Sequence, residues 1–213
     1  MASSRSPLTA APFSPRNSSV ASPTTAKSST PSPICYSAAA YPPGVQGRYD
    51  RAVSGTYSLR FGKEDFKFSA AHFTVFGEDE AEALHGHNYR VSVELSGSGV
   101  DGLEFLVPVA AAKRDIRSQC AELDEMVLLP AECPHLELVQ GETVTATFGQ
   151  RRYEFPSSEV VLLPVANVTV EALARLFWQR LADRWGSLHD RVETLEVIVA
   201  ETRGQGASYR RDL

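Results

Sequence analysis

The sequence predicts an α+β domain behind a disordered amino-terminal tail, and three observations carry that expectation. Four stretches alternate apolar and polar residues with the period of two that a half-buried strand requires. Two others repeat apolar residues at helical spacing. The first 49 residues do neither.

The chain has 213 residues, room for one domain with a sizeable core. Residues 1–49 stand outside that domain, which is expected over 50–213. They contain no Asp or Glu, carry only Arg5, Arg16, Lys27 and Arg48 as charges, and are crowded with Ser, Thr, Ala and Pro. Such a stretch cannot bury enough apolar surface to offset its ordering entropy. The same acid-free, Ser-rich composition marks organelle transit peptides, and it lacks the continuous apolar core of a secretory signal. Ser and Thr outnumber Arg, which favours a plastid over a mitochondrial address; a tail with no address would leave the protein cytoplasmic. Net charge is −5, and without the tail 17 basic residues face 26 acidic ones. No basic field therefore suggests a nucleic-acid partner. No apolar run is long enough to span a membrane. Cys35, Cys120 and Cys133 are odd in number and form no Cys-x-x-Cys, so no disulfide framework is expected, in keeping with a reducing compartment.

Within the domain, residues 57–61 read as a strand and 62–65 as a turn. Phe66, Phe68, Ala70 and His72 then share one face of a second strand. Residues 76–83 form a polar, acidic connection. From His85, steps of two give His87, Tyr89, Val91, Val93 and Leu95 on one face, with Gly86, Asn88, Arg90, Ser92 and Glu94 towards water. Glycines at 97, 99 and 102 mark the turn out. Pro108 fits the first position of a helix, where its missing N–H costs nothing. Val109, Ala112, Ile116, Cys120 and Leu123 follow at helical spacing, and Asp124-Glu125 closes the helix. Residues 136–140, 143–148 and 151–155 are short β-like runs separated by Gly141-Glu142 and Gly149-Gln150. Asn167 or Thr169 can cap a second helix, lined by Val170, Leu173, Ala174, Phe177, Trp178, Leu181 and Trp185 and stopped at Gly186. The last strand places Leu195, Val197, Val199 and Glu201 on one face.

Three of the five histidines fall between His72 and His87. Each ends the apolar face of its strand. A single histidine there would read as a hydrogen-bonded core residue. A His-Gly-His pair with a third imidazole on a similar strand reads as a metal cluster, and three protein ligands suit catalytic zinc, with the fourth position left for water or substrate. No cysteine lies near enough to close a structural site. Glu201 is the second pointer, since a carboxylate ending a buried stripe must be paired or reserved for a ligand.

Phe68-Ser69-Ala70-Ala71-His72 followed by Leu84-His85-Gly86-His87-Asn88-Tyr89 resembles the zinc signature of the 6-pyruvoyl-tetrahydropterin synthase and 6-carboxytetrahydropterin synthase family. The resemblance covers residues 57–210. It implies a T-fold, an antiparallel four-stranded sheet with two helices on one face, and homo-oligomers (trimers or hexamers) with active sites between subunits. Small family members lack most of residues 130–166, which are then an inserted β-meander. The resemblance assigns Zn2+ to His72, His85 and His87. It gives Glu201-Thr202 to the pterin, Glu201 accepting from the 2-amino group and N3–H.

The departures bear on catalysis. The thiol that the pyruvoyl and carboxy branches carry four residues before the first His of His-Gly-His is Ala81 here. Their Asp-His pair at the end of the first helix is Asp124-Glu125. The Asp-Phe pair before that helix is Pro108-Val109. A folate-branch variant of the family replaces the thiol with Glu and cleaves the pterin side chain. Glu82, and after it Glu80, are placed for that work, with Asp124 to orient or relay a proton. The expected activity is therefore zinc-dependent cleavage of 7,8-dihydroneopterin triphosphate to 6-hydroxymethyl-dihydropterin, ahead of triphosphate elimination to 6-pyruvoyl-tetrahydropterin. The alternative is a non-catalytic pterin-binding or partner subunit.

Overall fold

The computed structural model describes residues 55–186 and 190–213. The tail at 1–49, with its suggested organelle address, lies outside the described residues. The elements in order are β1 (Tyr57–Phe61), β2 (Lys67–His72), β3 (His85–Gly97), α1 (Val109–Leu123), β4 (Met126–Pro130), β5 (Glu137–Gln140), β6 (Thr143–Phe148), β7 (Arg151–Pro156), β8 (Val160–Leu163), α2 (Val170–Trp185), β9 (Thr194–Thr202) and β10 (Gln205–Asp212).

β3 is the spine. β9 runs antiparallel along one of its edges, while β1 and β2 share the other in succession; β10 pairs antiparallel with β9. This is the antiparallel frame expected from the sequence. One face carries Phe68, Tyr89, Val91, Val93, Leu95, Val197 and Val199, which join the buried faces of both helices in a single core. Two indoles tie α2 down. Trp178 Nε1 donates to the Leu195 carbonyl at 2.8 Å and Trp185 Nε1 to Asp115 Oδ2 at 2.9 Å.

Beyond that frame, β4 pairs in parallel with β2, and β8 in parallel with β4, which brings the sheet to seven strands. The three runs between them form a separate antiparallel sheet, β5-β6-β7. The two added strands are packed on both sides. Leu128, Val161 and Leu163 belong to the helix-side core, while Val127, Leu129, Val160 and Leu162 join Val144, Ala146 and Phe148 of the meander in a second core.

The start of α1 differs from the expectation in one detail, while α2 is capped by one of its two expected residues. Pro108 is the N-cap of α1, extended at ψ 93, and its carbonyl accepts the Ala112 N–H at 3.0 Å. Its ring serves either position, since φ near −65° suits both. In α2 the cap is Thr169, whose hydroxyl accepts from Ala172 N at 3.2 Å. Asn167 is engaged elsewhere.

Candidate active site

The β2–β3 register sets His72 directly opposite His85, and Ala70 opposite His87. Cross-strand partners and residues two apart share a face, so register alone gathers the three imidazoles. Ring centroids stand 4.8 Å apart for His72–His85, 5.4 Å for His72–His87 and 4.7 Å for His85–His87. One ring nitrogen from each lies within 4.8 Å of the others, so the cluster could hold a metal ion.

Backbone carbonyls assign the tautomers. His72 Nδ1 is 3.1 Å from the Val168 carbonyl and His85 Nδ1 is 2.9 Å from that of Ala83. A carbonyl only accepts, so Nδ1 carries the hydrogen in both rings and Nε2 presents its lone pair. His72 is 3% exposed, and its Nε2 has no hydrogen-bond partner. An orphaned buried acceptor is costly, and a cation is a suitable partner for it. Burial first, and then the neighbouring His85 and His87, push the His72 pKa down to about 4. The ring is therefore neutral at pH 7, the form a metal needs.

A carboxylate stands on each side of the cluster. Glu201 Oε2 is 3.9 Å from His87 Nε2, and Glu82 Oε2 is 4.0 Å from His85 Nε2. Partial burial alone would push the Glu82 carboxyl up. Hydrogen bonding from Thr74, whose N–H reaches Oε2 at 3.0 Å, and the adjacent His85 outweigh it and hold the group below its ordinary value. Tyr89 packs edge-on against His87 and His72. Burial, reinforced by the charges of Glu201 and Glu82, pushes its hydroxyl up, so it stays protonated.

The remaining expected residues are less central. Glu80 has an exposed side chain with no hydrogen bond or ion pair among the described residues; its carbonyl accepts from Phe76 and Gly77 N–H in the turn. Thr202 is exposed and lines a cavity of ≈ 540 Å³ with Glu201, Asn88, Arg90 and Arg203. Asp124 lies apart. Its Oδ1 accepts the Ser69 N–H at 2.7 Å, and it lines a cavity of ≈ 700 Å³ that none of the three histidines reaches.

Four residues that the sequence reading did not assign to the site complete it. The Val168 carbonyl orients His72. Asn167 grips Val75, accepting its N–H at 3.1 Å and donating to its carbonyl at 2.8 Å. Arg151, from β7, donates to the carbonyls of Glu82 and Ala81. The Gln205 amide, beside a bulge at Gln205/Gly206, donates to Glu201 Oε1. Three of them bond through backbone groups, and Gln205 reaches Glu201 only because β9 and β10 fold back on each other.

The fold and site define an α+β sheet domain with a three-histidine cluster that could hold a metal ion, flanked by two carboxylates. The family model described as 6-pyruvoyl tetrahydropterin synthase matches residues 62–212, and the chain belongs to that family of pterin synthases. It is 34% identical over 149 residues to a Methanocaldococcus jannaschii protein provisionally named 6-carboxy-5,6,7,8-tetrahydropterin synthase, covering 69% of this chain and 91% of that one. The crystal structure of 6-pyruvoyl tetrahydropterin synthase from Plasmodium vivax superposes with a TM-score of 0.71 at 27% identity, over 75% of this chain and 100% of that chain. A variant of the P. vivax protein with a catalytic glutamate replaced by alanine matches with a TM-score of 0.71 at 26% identity, over the same 75% and 100%.

Proposed function

We propose that the protein is a zinc-dependent lyase that cleaves the side chain of 7,8-dihydroneopterin triphosphate to give 6-hydroxymethyl-dihydropterin. The observation that carries this reading is the Glu82 carboxylate, 4.0 Å from His85 in a loop without cysteine. The P. vivax relative, which also works with a catalytic glutamate, supports it.

His72, His85 and His87 would hold the zinc, whose chemistry when bound is Lewis-acid polarisation of the side-chain hydroxyls. Glu201 accepts hydrogen bonds from the pterin 2-amino group and N3–H, two donors on one ring edge that match one carboxylate; Thr202 lies beside it. Gln205 must then release the Glu201 oxygen it now contacts. Glu82 takes the C2′ hydroxyl proton. As the C2′–O bond becomes a carbonyl, the C1′–C2′ bond breaks and its electron pair passes to C1′, spread over the adjoining C6–N5 imine. Return of the proton to C1′ gives 6-hydroxymethyl-dihydropterin, and the other fragment leaves as a two-carbon aldehyde bearing the triphosphate. Elimination of triphosphate ranks second, because Ala81 and Glu125 replace the thiol and imidazole of the pyruvoyl branch.

The test is to incubate the purified protein with 7,8-dihydroneopterin triphosphate and identify the product by mass spectrometry. Glu82→Gln is expected to lower turnover by about 10²–10⁴-fold with zinc retained. A pyruvoyl product would overturn the cleavage. Pterin binding without any turnover would make the chain a non-catalytic pterin-binding subunit.

A further inference from the structure

We propose that Arg151, on the inserted meander, is a positioning residue that holds Glu82 in register with the histidine cluster. The inference rests on the reading of Glu82 as the base. Arg151 is the first residue of β7 and half-buried. One guanidinium nitrogen donates to the Glu82 carbonyl at 2.6 Å and the other to the Ala81 carbonyl at 3.0 Å. A planar fork bonded to two consecutive carbonyls fixes the orientation of the peptide between them, which a single bond leaves free to rotate.

The fork is itself held. Its carbon lies 5.0 Å from the centroid of the Phe148 ring, at the end of β6. Phe148 belongs to the second core with Phe73 and Val75, and Ala81 and Leu84 pack against the same cluster. The loop between His72 and His85 therefore rests on the meander on both of its limbs. Arg151 bonds Glu82 through the backbone carbonyl, while the Glu82 carboxylate accepts the Thr74 N–H and lies beside His85. If Arg151 acts by positioning Glu82, its effect on turnover should vanish when Glu82 is replaced.

A double-mutant cycle on the full chain tests this, with Arg151→Met, Glu82→Gln and both together, and with zinc content and single-turnover kinetics as readouts. A misplaced reacting group costs up to about 100-fold, so Arg151→Met is expected to lower kcat by about 10- to 100-fold, with zinc content unchanged and KM within about twofold. In the Glu82→Gln background it should cost less than about twofold more, since nothing remains to be positioned. Arg151→Lys, which keeps one donor, should recover part of the loss. Equal losses in both backgrounds, or an unchanged kcat for Arg151→Met, would overturn the inference. Full activity of Glu82→Gln would instead overturn the assignment of the base beneath it. Should Arg151→Met fail to fold, the cycle run with Arg151→Lys decides on the same criteria.

Discussion

His72 shows how much one ring can be made to do. Nδ1 is committed to the Val168 carbonyl, Nε2 is held bare in the interior, and burial keeps the ring neutral at pH 7. Glu201, on the far side of the cluster, is expected to govern ligand affinity and not metal. Losing its pair of charge-assisted hydrogen bonds costs about 2–4 kcal/mol, or roughly 30- to 1000-fold in affinity. Glu201→Gln should thus weaken pterin binding by that factor at unchanged zinc content, as calorimetry and metal analysis would show; equal affinity would disprove the role. Cys120 gives a pH-linked prediction. Burial pushes its thiol up to about 12, above the free value of 9.0. The folded state therefore disfavours the thiolate, and this group subtracts stability only as pH rises from about 9 towards about 12. At neutral pH it stays a thiol and unreactive. Iodoacetamide should leave turnover intact and Cys120 unlabelled until the protein is unfolded in urea. Native labelling of Cys120 with loss of activity would contradict this. The histidines and Glu201 were legible in the sequence because strands alternate faces. Arg151 and Asn167 were not, because a bond to a backbone group leaves no periodicity; Gln205 was not, because it meets Glu201 only across the turn between β9 and β10.

At the scale of elements, the same rule explains what was read and what was missed. β2, β3 and β9 face a core on one side and water on the other, so they alternate and announce themselves. β4 and β8 are covered on both faces, and their sequences, MVLLP and VVLL, are continuously apolar. Parallel strands buried on both sides lack alternation for this reason. The start of α2 carries a further consequence. Thr169 caps the helix, and the carbonyl just before it, that of Val168, orients His72. Removing a threonine cap costs about 1 kcal/mol, and disturbing the partner of a metal-binding histidine costs about 10- to 100-fold in metal affinity. Thr169→Ala should lower both stability in urea titration and zinc affinity by competition. A loss of stability with zinc affinity unchanged would show that Val168 is held by other contacts, Asn167 foremost.

At the scale of the whole molecule, the question is where Asp124 acts. Within one chain it is exposed, fixed by Ser69 N–H, and remote from the histidines. Proposed trimers or hexamers with sites between subunits would let Asp124 serve a neighbour's pocket, orienting or relaying a proton there. Glu82→Gln and Asp124→Asn chains, co-expressed, should then form mixed oligomers more active than either parent alone, with Asp124→Asn the milder single lesion. No gain over the parents would confine each residue to its own subunit. A last consequence lies in the way β4 and β8 pair. Because they run in the same direction, no tight turn can join the end of one to the start of the other; the chain must travel back the length of a strand first. The segment from Met126 to Leu163 therefore behaves as one indivisible cassette. Trimming it to a hairpin would strand β8 and remove the floor beneath Glu82 with it.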